Sequence, residues 1–428
     1  MGLGIITMTT SEEIHRRIIV SPFNFCDHVR VAMKLKNEII IHDTTLREGE
    51  QTPGVVFTPD DKLKIAEGLD EIGVQQLESG FPAASTEEMK AVTGLAKRGL
   101  KAKIFGFSRA LKSDIDAVIN TGAWGIVLSL PPSDIHLKYK LKITRDQYLE
   151  RAVEMVEYAK AHGLYITYSA EDSTRTELNF LKMVFRTVVE AGADRARIVD
   201  TIGAIIPAAM KYLVSEIGQT VEVPLEVHCH NDHGLGVANT LAAVEAGARA
   251  LSTSLNGLGE RAGLAATEDV LISLYNLYNV RYFNLSKLFE LCKFVEKTSG
   301  IEIPPNKVAV GANVFTHASG IHQHGVLENA TTYEPYPPEL IGQTRRLVLG
   351  KLSGSHAVSS KLREFGIKVP KEVVKKILVK VKKKAEKRRS VLSDKEFLRI
   401  VHEVTGLKSH IANIENERLN PYHQQNRF

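Results

Sequence analysis

Cysteine is scarce in this 428-residue chain: Cys26, Cys229 and Cys292 are the only three, and none forms a CxxC pair. That excludes a disulfide framework and a thiolate zinc site, and it fits a reducing cytoplasm. Long apolar runs are missing as well. No stretch approaches the roughly 18 residues of a membrane span, and the start, MGLGIITMTTSEEIHRR, is too briefly apolar for a signal peptide. Nor is there a strong charge bias, repeat or low-complexity segment. At 43% hydrophobic and 25% charged, with a net charge of +5, the composition is that of a soluble globular protein. The basic excess gathers in KKILVKVKKKAEKRR, 375 to 389, where Ile377, Leu378 and Val381 recur at helical spacing. This reads as one lysine-rich, solvated helix face, because a nucleic-acid patch would want interleaved aromatics or a known motif.

What is present is an alternation. From residue 38 to about 280, short apolar or β-branched runs (IIIHDTT, QQLESGF, AKIFGFS, WGIVLSL, YITYSAED, ARIVDTIG, LEVHCHND, ALSTSLNG) alternate with segments of helical period that end in glycine. About eight strands over roughly 240 residues suit a (β/α)8 TIM barrel, with a doubly wound open sheet as the alternative. The expected organisation is an N-terminal extension over 1–36, a catalytic barrel over 37–300 and a smaller, mostly helical C-terminal module over 301–428. That module opens with the irregular, polar segments GANVFTHASGIHQHG and YEPYPPEL.

Polar residues collect where the runs end: Arg47 and Glu48 after the first, Ser79 in the second, Glu171 and Asp172 at the fifth, Asp200 and Thr201 at the sixth, His228 and His230 at the seventh. In a TIM barrel those ends converge on the catalytic face. In HCHNDHG, His228 and His230 stand two residues apart and project to one side of a strand, so both imidazoles can reach one ion. Structural histidines are the plainer reading. A carboxylate, with Glu48 the candidate, would complete a site for a divalent Lewis acid with open positions for substrate oxygens. Arg47 adds a positive fork for a carboxylate or a developing enolate oxygen, against a simple surface ion pair. Glu171 is a base or an orienting group. NGLGERAG, 256 to 263, lacks GxGxxG spacing, and its amides suit a phosphate-bearing ligand better than a nicotinamide. Of His317, His322 and His324, clustered in HASGIHQHG, His322 is preferred as a proton-transfer group over a second metal site.

Taken together, LREGEQTPGV, HCHNDHG, NGLGERAG, SGIHQHG and YEPYPPE resemble the homocitrate, isopropylmalate and citramalate synthase family, the Claisen-condensing metallolyase TIM barrels, from about residue 37 to 360. The resemblance implies condensation of acetyl-CoA, as co-substrate, with a 2-oxo acid, followed by thioester hydrolysis. It implies Glu48, His228 and His230 as ligands of magnesium, manganese, zinc or cobalt, and Arg47, Gln51, Ser169 and Thr201 at the substrate. Glu171 would orient the catalytic groups. His322 and Tyr333 would supply proton transfer from the neighbouring subunit of a domain-swapped homodimer. Glu48 in place of the usual Asp, and Leu264 in place of Asn, resemble the homocitrate synthases of lysine biosynthesis. Those enzymes hold the distal carboxylate of 2-oxoglutarate with a histidine and an arginine where this chain has Phe107 and Thr167. The expected product is homocitrate; pyruvate, oxaloacetate (giving citrate) and 2-oxoisovalerate stand as alternative acceptors, and a hydroxyacyl-CoA lyase is the rival class.

Overall fold

The computed structural model describes residues 20–36 and 38–406; most of the expected N-terminal extension, and the tail beyond 406, lie outside the described residues. Two compact units emerge. One comprises 22–304 with 308–310; the other comprises, among the described residues, 20–21, 305–307 and 311–406.

In the first unit, eight parallel strands run β1 (Ile40–Asp43), β2 (Gln76–Glu78), β3 (Lys103–Arg109), β4 (Gly125–Ser129), β5 (Tyr165–Ala170), β6 (Arg195–Asp200), β7 (Leu225–Cys229) and β8 (Ala250–Thr253). Each pairs with the next, and β1 returns to β8 with Ile40 opposite Ala250 and Asp43 opposite Thr253. That last ladder closes the barrel and overturns the open-sheet alternative. Helices intervene, and their limits follow local chemistry. α1 (Pro59–Ile72) starts at a Thr58–Asp61 capping box with proline in its first turn, and stops at Gly73, whose φ of 94° lies in the left-handed region that favours glycine. Its Ile65, Leu69 and Ile72 are fully buried, each contributing about 1.5–3 kcal/mol relative to exposure. α2 (Thr86–Ala96), α3 (Lys112–Thr121), α4 (Arg145–Ala161), α5 (Leu178–Glu190), α6 (Pro207–Gly218), α7 (Gly236–Glu245), α8 (Thr267–Tyr278) and α9 (Leu288–Ser299) follow.

The strands alternate as strands must, but both of their faces are buried. In β6, Ala196 and Ile198 lie on the face opposite to Arg195 and Arg197, and both arginines are 1% exposed. Gln76 and Glu78 of β2, His42 of β1 and Glu226 of β7 are buried with them, so the barrel's bore is filled largely by hydrogen-bonded charge.

The second unit contains β9 (Thr316–His317), α10 (Gly320–Glu328), β10 (Arg346–Leu347), α11 (Ser355–Glu364), α12 (Lys371–Arg388) and α13 (Asp394–Thr405). HASGIHQHG, expected to be irregular, is instead a short strand running into α10. In α12, Ile377 and Val381 are fully buried and Leu378 packs against the same cluster, while the lysines face solvent. The hydrophobic cluster they join includes Val358, Leu362, Phe397, Leu398 and Val401, each no more than 2% exposed.

Candidate active site

Immediately after β1 the chain turns sharply. The carbonyl of Thr44 accepts from the amides of Arg47, Glu48 and Gly49 at 3.0, 2.8 and 3.2 Å, which sets both side chains on the rim at the carboxyl ends of the strands. His228 arrives on β7, and His230 follows it on a bridge to Leu264. One ligand atom from each of Glu48, His228 and His230 lies within 4.8 Å of the others, the only such trio among the described residues. The two imidazole Nε2 atoms face each other at 3.3 Å, and Glu48 Oε1 stands 3.9 Å from that of His230. His230 Nδ1 donates to the Gly263 carbonyl at 3.1 Å, which leaves its Nε2 with a bare lone pair. His228 Nδ1 meets Ser252 Oγ at 2.9 Å, and with that hydroxyl accepting, the second Nε2 is bare as well. Burial lowers the pKa of both histidines, so both are neutral at pH 7, the form in which an imidazole can bind a metal. Two lone pairs converging beside a carboxylate fit a divalent cation.

Around this trio the polar groups form one connected lattice. Arg47 is no surface pair: its guanidinium, largely buried, bonds Glu48 and Glu78 and lies 4.7 Å from the centre of the Phe107 ring. Its Nη2 has no bond to a described residue. Gln51, with its amide nitrogen turned toward the carboxylate, donates to both oxygens of Glu48 at 2.8 and 3.0 Å, and the Glu260 amide adds a third donor at 3.2 Å. Burial would push the Glu78 carboxyl up, yet Arg47 and Arg197 outweigh it and hold the group down at about 2. Arg197 continues the lattice to Glu226 at 2.6 Å and His42 at 3.0 Å, and Arg195 joins Glu226 at 2.9 Å.

The remaining expected residues divide. Thr167 and Ser169 share one face of β5; both are buried, and Thr167 Oγ1 has no partner among the described residues. Thr201 Oγ1 accepts from the Asp172 amide at 2.8 Å. Glu171 is held by Lys140 Nζ at 2.7 and 2.8 Å, with His136 Nε2 at 3.6 Å. His322 and Tyr333 are in the second unit, stacked ring on ring with centroids 4.0 Å apart. In NGLGERAG the amides of Gly257, Gly259, Glu260 and Gly263 bond Ser254, Thr52, Glu48 and Glu260 respectively, so one of them reaches the trio directly. His317 is paired with Glu334 and, among the described residues, joins no metal-binding cluster. The sequence reading did not single out Glu78, Arg197, Glu226 or Ser252, although Glu226 stands two residues before His228 and therefore on its face.

Barrel, ligand trio and matched families make the protein a metal-dependent acyltransferase. A family model described as HMGL-like matches residues 38–295, and one described as homocitrate synthase post-HMGL domain-like matches 309–389. The chain is 49% identical over 377 residues to the homocitrate synthase AksA of Methanopyrus kandleri, covering 87% of this chain and 95% of that protein. It is 46% identical to the 2-isopropylmalate synthase of Methanocaldococcus jannaschii, covering 87% and 73%. Among solved structures, a hydroxymethylglutaryl-CoA lyase from Pseudomonas aeruginosa superposes with a TM-score of 0.57 at 20% identity, over 63% of this chain and 96% of that one, and so shares the fold. The chain belongs to the HMGL-like family, in the branch that holds the homocitrate and isopropylmalate synthases. Among the described residues no helix is long and apolar enough to cross a membrane.

Proposed function

We propose that the protein condenses acetyl-CoA with a 2-oxo acid and hydrolyses the resulting thioester, with 2-oxoglutarate as the acceptor and homocitrate as the product. The observation that carries the reading is the convergence of Glu48, His228 and His230 at the strand ends with Arg47 bound to the same carboxylate. A divalent ion in that trio, whether magnesium, manganese, zinc or cobalt, supplies Lewis-acid polarisation of the keto group. Arg47 offers its free Nη2 edge to the oxygen on which negative charge develops. Ser169 and Thr201 hold the substrate's carboxylate end, Gln51 keeps Glu48 in place, and Glu171 with Lys140 orients groups at the rim. His322 and Tyr333, delivered by a neighbouring subunit in a domain-swapped homodimer, take a proton from the acetyl methyl. The new carbon–carbon bond forms between that methyl and the keto carbon, and water then cleaves the thioester to release CoA. A reducing cytoplasm suits a protein whose three cysteines are free.

One observation favours a second acceptor. Phe107 lies against Arg47, and the orphaned Thr167 hydroxyl is its neighbour across β4; neither offers a cation to a distal carboxylate. A shorter or apolar acid, such as pyruvate or 2-oxoisovalerate, suits that wall. The test is thiol release from acetyl-CoA with a divalent metal and a panel of 2-oxoglutarate, oxaloacetate, pyruvate and 2-oxoisovalerate. Preference for 2-oxoglutarate supports homocitrate formation, and preference for another acid replaces it. No release with any acid, or release unaffected by Glu48→Ala, defeats the reading, and acetyl-CoA formation from a hydroxyacyl-CoA would move the protein to the lyase class.

A further inference from the structure

Tyr333 and Glu334 are chain neighbours with opposite fates. Tyr333 is 41% exposed and stacks on His322, whereas Glu334 is 4% exposed and turned inward. The Glu334 carboxylate accepts from three N–H donors: Arg345 Nε at 2.7 Å, Arg345 Nη2 at 2.5 Å and His317 Nε2 at 2.9 Å. His317 belongs to β9 and Arg345 immediately precedes β10, so one carboxylate is tied to both strands of the small sheet. From α10 to Tyr333 the chain is a continuous bonded turn. Asn329 N donates to Gly325 O, Tyr333 N and Glu334 N both donate to Ala330 O, and the Asn329 side chain caps the turn by accepting from the Thr331 amide.

The ring stack has little room to vary. A Cβ at Gly325 would stand 2.6 Å from the Tyr333 ring, so the ring lies directly against the helix that carries His322. Gln323 Nε2 fastens the same helix by donating to the His317 and Val348 carbonyls, each at 2.7 Å. A stack this exposed gains little from burial. Its geometry is imposed by the backbone on either side, and on the Tyr333 side that backbone is held by Glu334.

We propose that Glu334 is a positioning residue: clamped by Arg345 and His317, it fixes the turn that presents the Tyr333 ring to His322. The inference rests on the reading of His322 and Tyr333 as the proton-transfer pair. A buried carboxylate held by an arginine and a histidine is weak evidence for a stability role, since such groups roughly balance their own desolvation. The role expected here is geometric, and a misplacement of about 1 Å is enough to slow proton transfer about a hundredfold.

The experiment compares kcat and KM for the 2-oxo acid in the full-length wild type, Glu334→Gln, His317→Asn, Tyr333→Phe and the double variant Glu334→Gln/Tyr333→Phe, with thermal midpoints as a check on folding. The expected result is a kcat of Glu334→Gln lower by about tenfold or more with KM within about twofold, and an effect that does not multiply with that of Tyr333→Phe. His317→Asn, which leaves Arg345 in place, gives a smaller loss of the same kind and stands in should Glu334→Gln fail to fold. Turnover of Glu334→Gln and His317→Asn equal to wild type, while Tyr333→Phe is impaired, overturns the positioning role and leaves the proton-transfer reading intact. Effects that multiply also overturn it. Full turnover by Tyr333→Phe and His322→Ala together removes the reading beneath it.

Discussion

The bore of the barrel and the core of the C-terminal unit are equally sealed from water, yet they are filled by opposite means. Around Val358, Ile377, Val381 and Leu398 the second unit packs a cluster of buried aliphatic and aromatic side chains. In the bore, Arg195, Arg197, Glu78, Glu226, Gln76 and His42 occupy the same kind of space with guanidinium, carboxylate, amide and imidazole groups. The aliphatic core is non-directional, so a lost methyl leaves a cavity and little else. The charged bore is directional. Each oxygen has an assigned donor, and the last donor in the chain, Arg47, also bonds the proposed metal ligand Glu48.

The sharpest way to break the comparison is Arg197→Met. Removing this guanidinium leaves Glu78 and Glu226 buried with fewer partners, and the expected loss is about 3–5 kcal/mol in denaturant unfolding. A variant as stable as the wild type would mean that water fills the bore. Acidification comes next. The folded pKa of Glu78 lies near 2 against an ordinary 4.5, so its stabilisation is present above pH 4.5 and is lost as pH falls toward 2. With about 1.4 kcal/mol for each unit, that limb is worth roughly 3 kcal/mol, and it should vanish from the pH dependence of unfolding in Glu78→Gln. Ile377→Val tests the other region, with an expected loss of about 0.5–1.5 kcal/mol and no dependence on pH. Lys380→Ala, on the exposed face of α12 where Lys380 meets Glu403 at 3.1 Å, should change unfolding by no more than about 0.5 kcal/mol. A larger effect there would show that the lysine face does more than solvate a helix.

The same contrast explains what could be read from the sequence. All eight barrel strands were legible because each apolar run is short and bounded by turn chemistry, and the rim was legible because HDTTLREGE and HCHND place several polar side chains where a strand should end. The helical unit was half legible: the spacing of Ile377 and Val381 announces α12, while HASGIHQHG, with little apolar periodicity, conceals α10. The bore went unread for a physical reason. In RARIVD the alternation of polar and apolar residues looks like a strand with one face in water, and only closure of β1 onto β8 turns that polar face into an interior. The partners of Arg197 are 119 and 29 residues away, at Glu78 and Glu226, so no local pattern could pair them. The stack of His322 on Tyr333 has the same origin, because it depends on a glycine at 325 making room for a ring eight residues on.

The charged bore also bears on how the molecule meets heat. Removing ions from water becomes less costly as temperature rises, whereas apolar burial per unit area levels off. Warming therefore shifts relative strength toward the barrel's interior and away from the aliphatic cluster. The expected outcome is that the lattice behind Arg47, and with it the rim, loses less of its stabilisation on warming than the aliphatic cluster of the C-terminal unit.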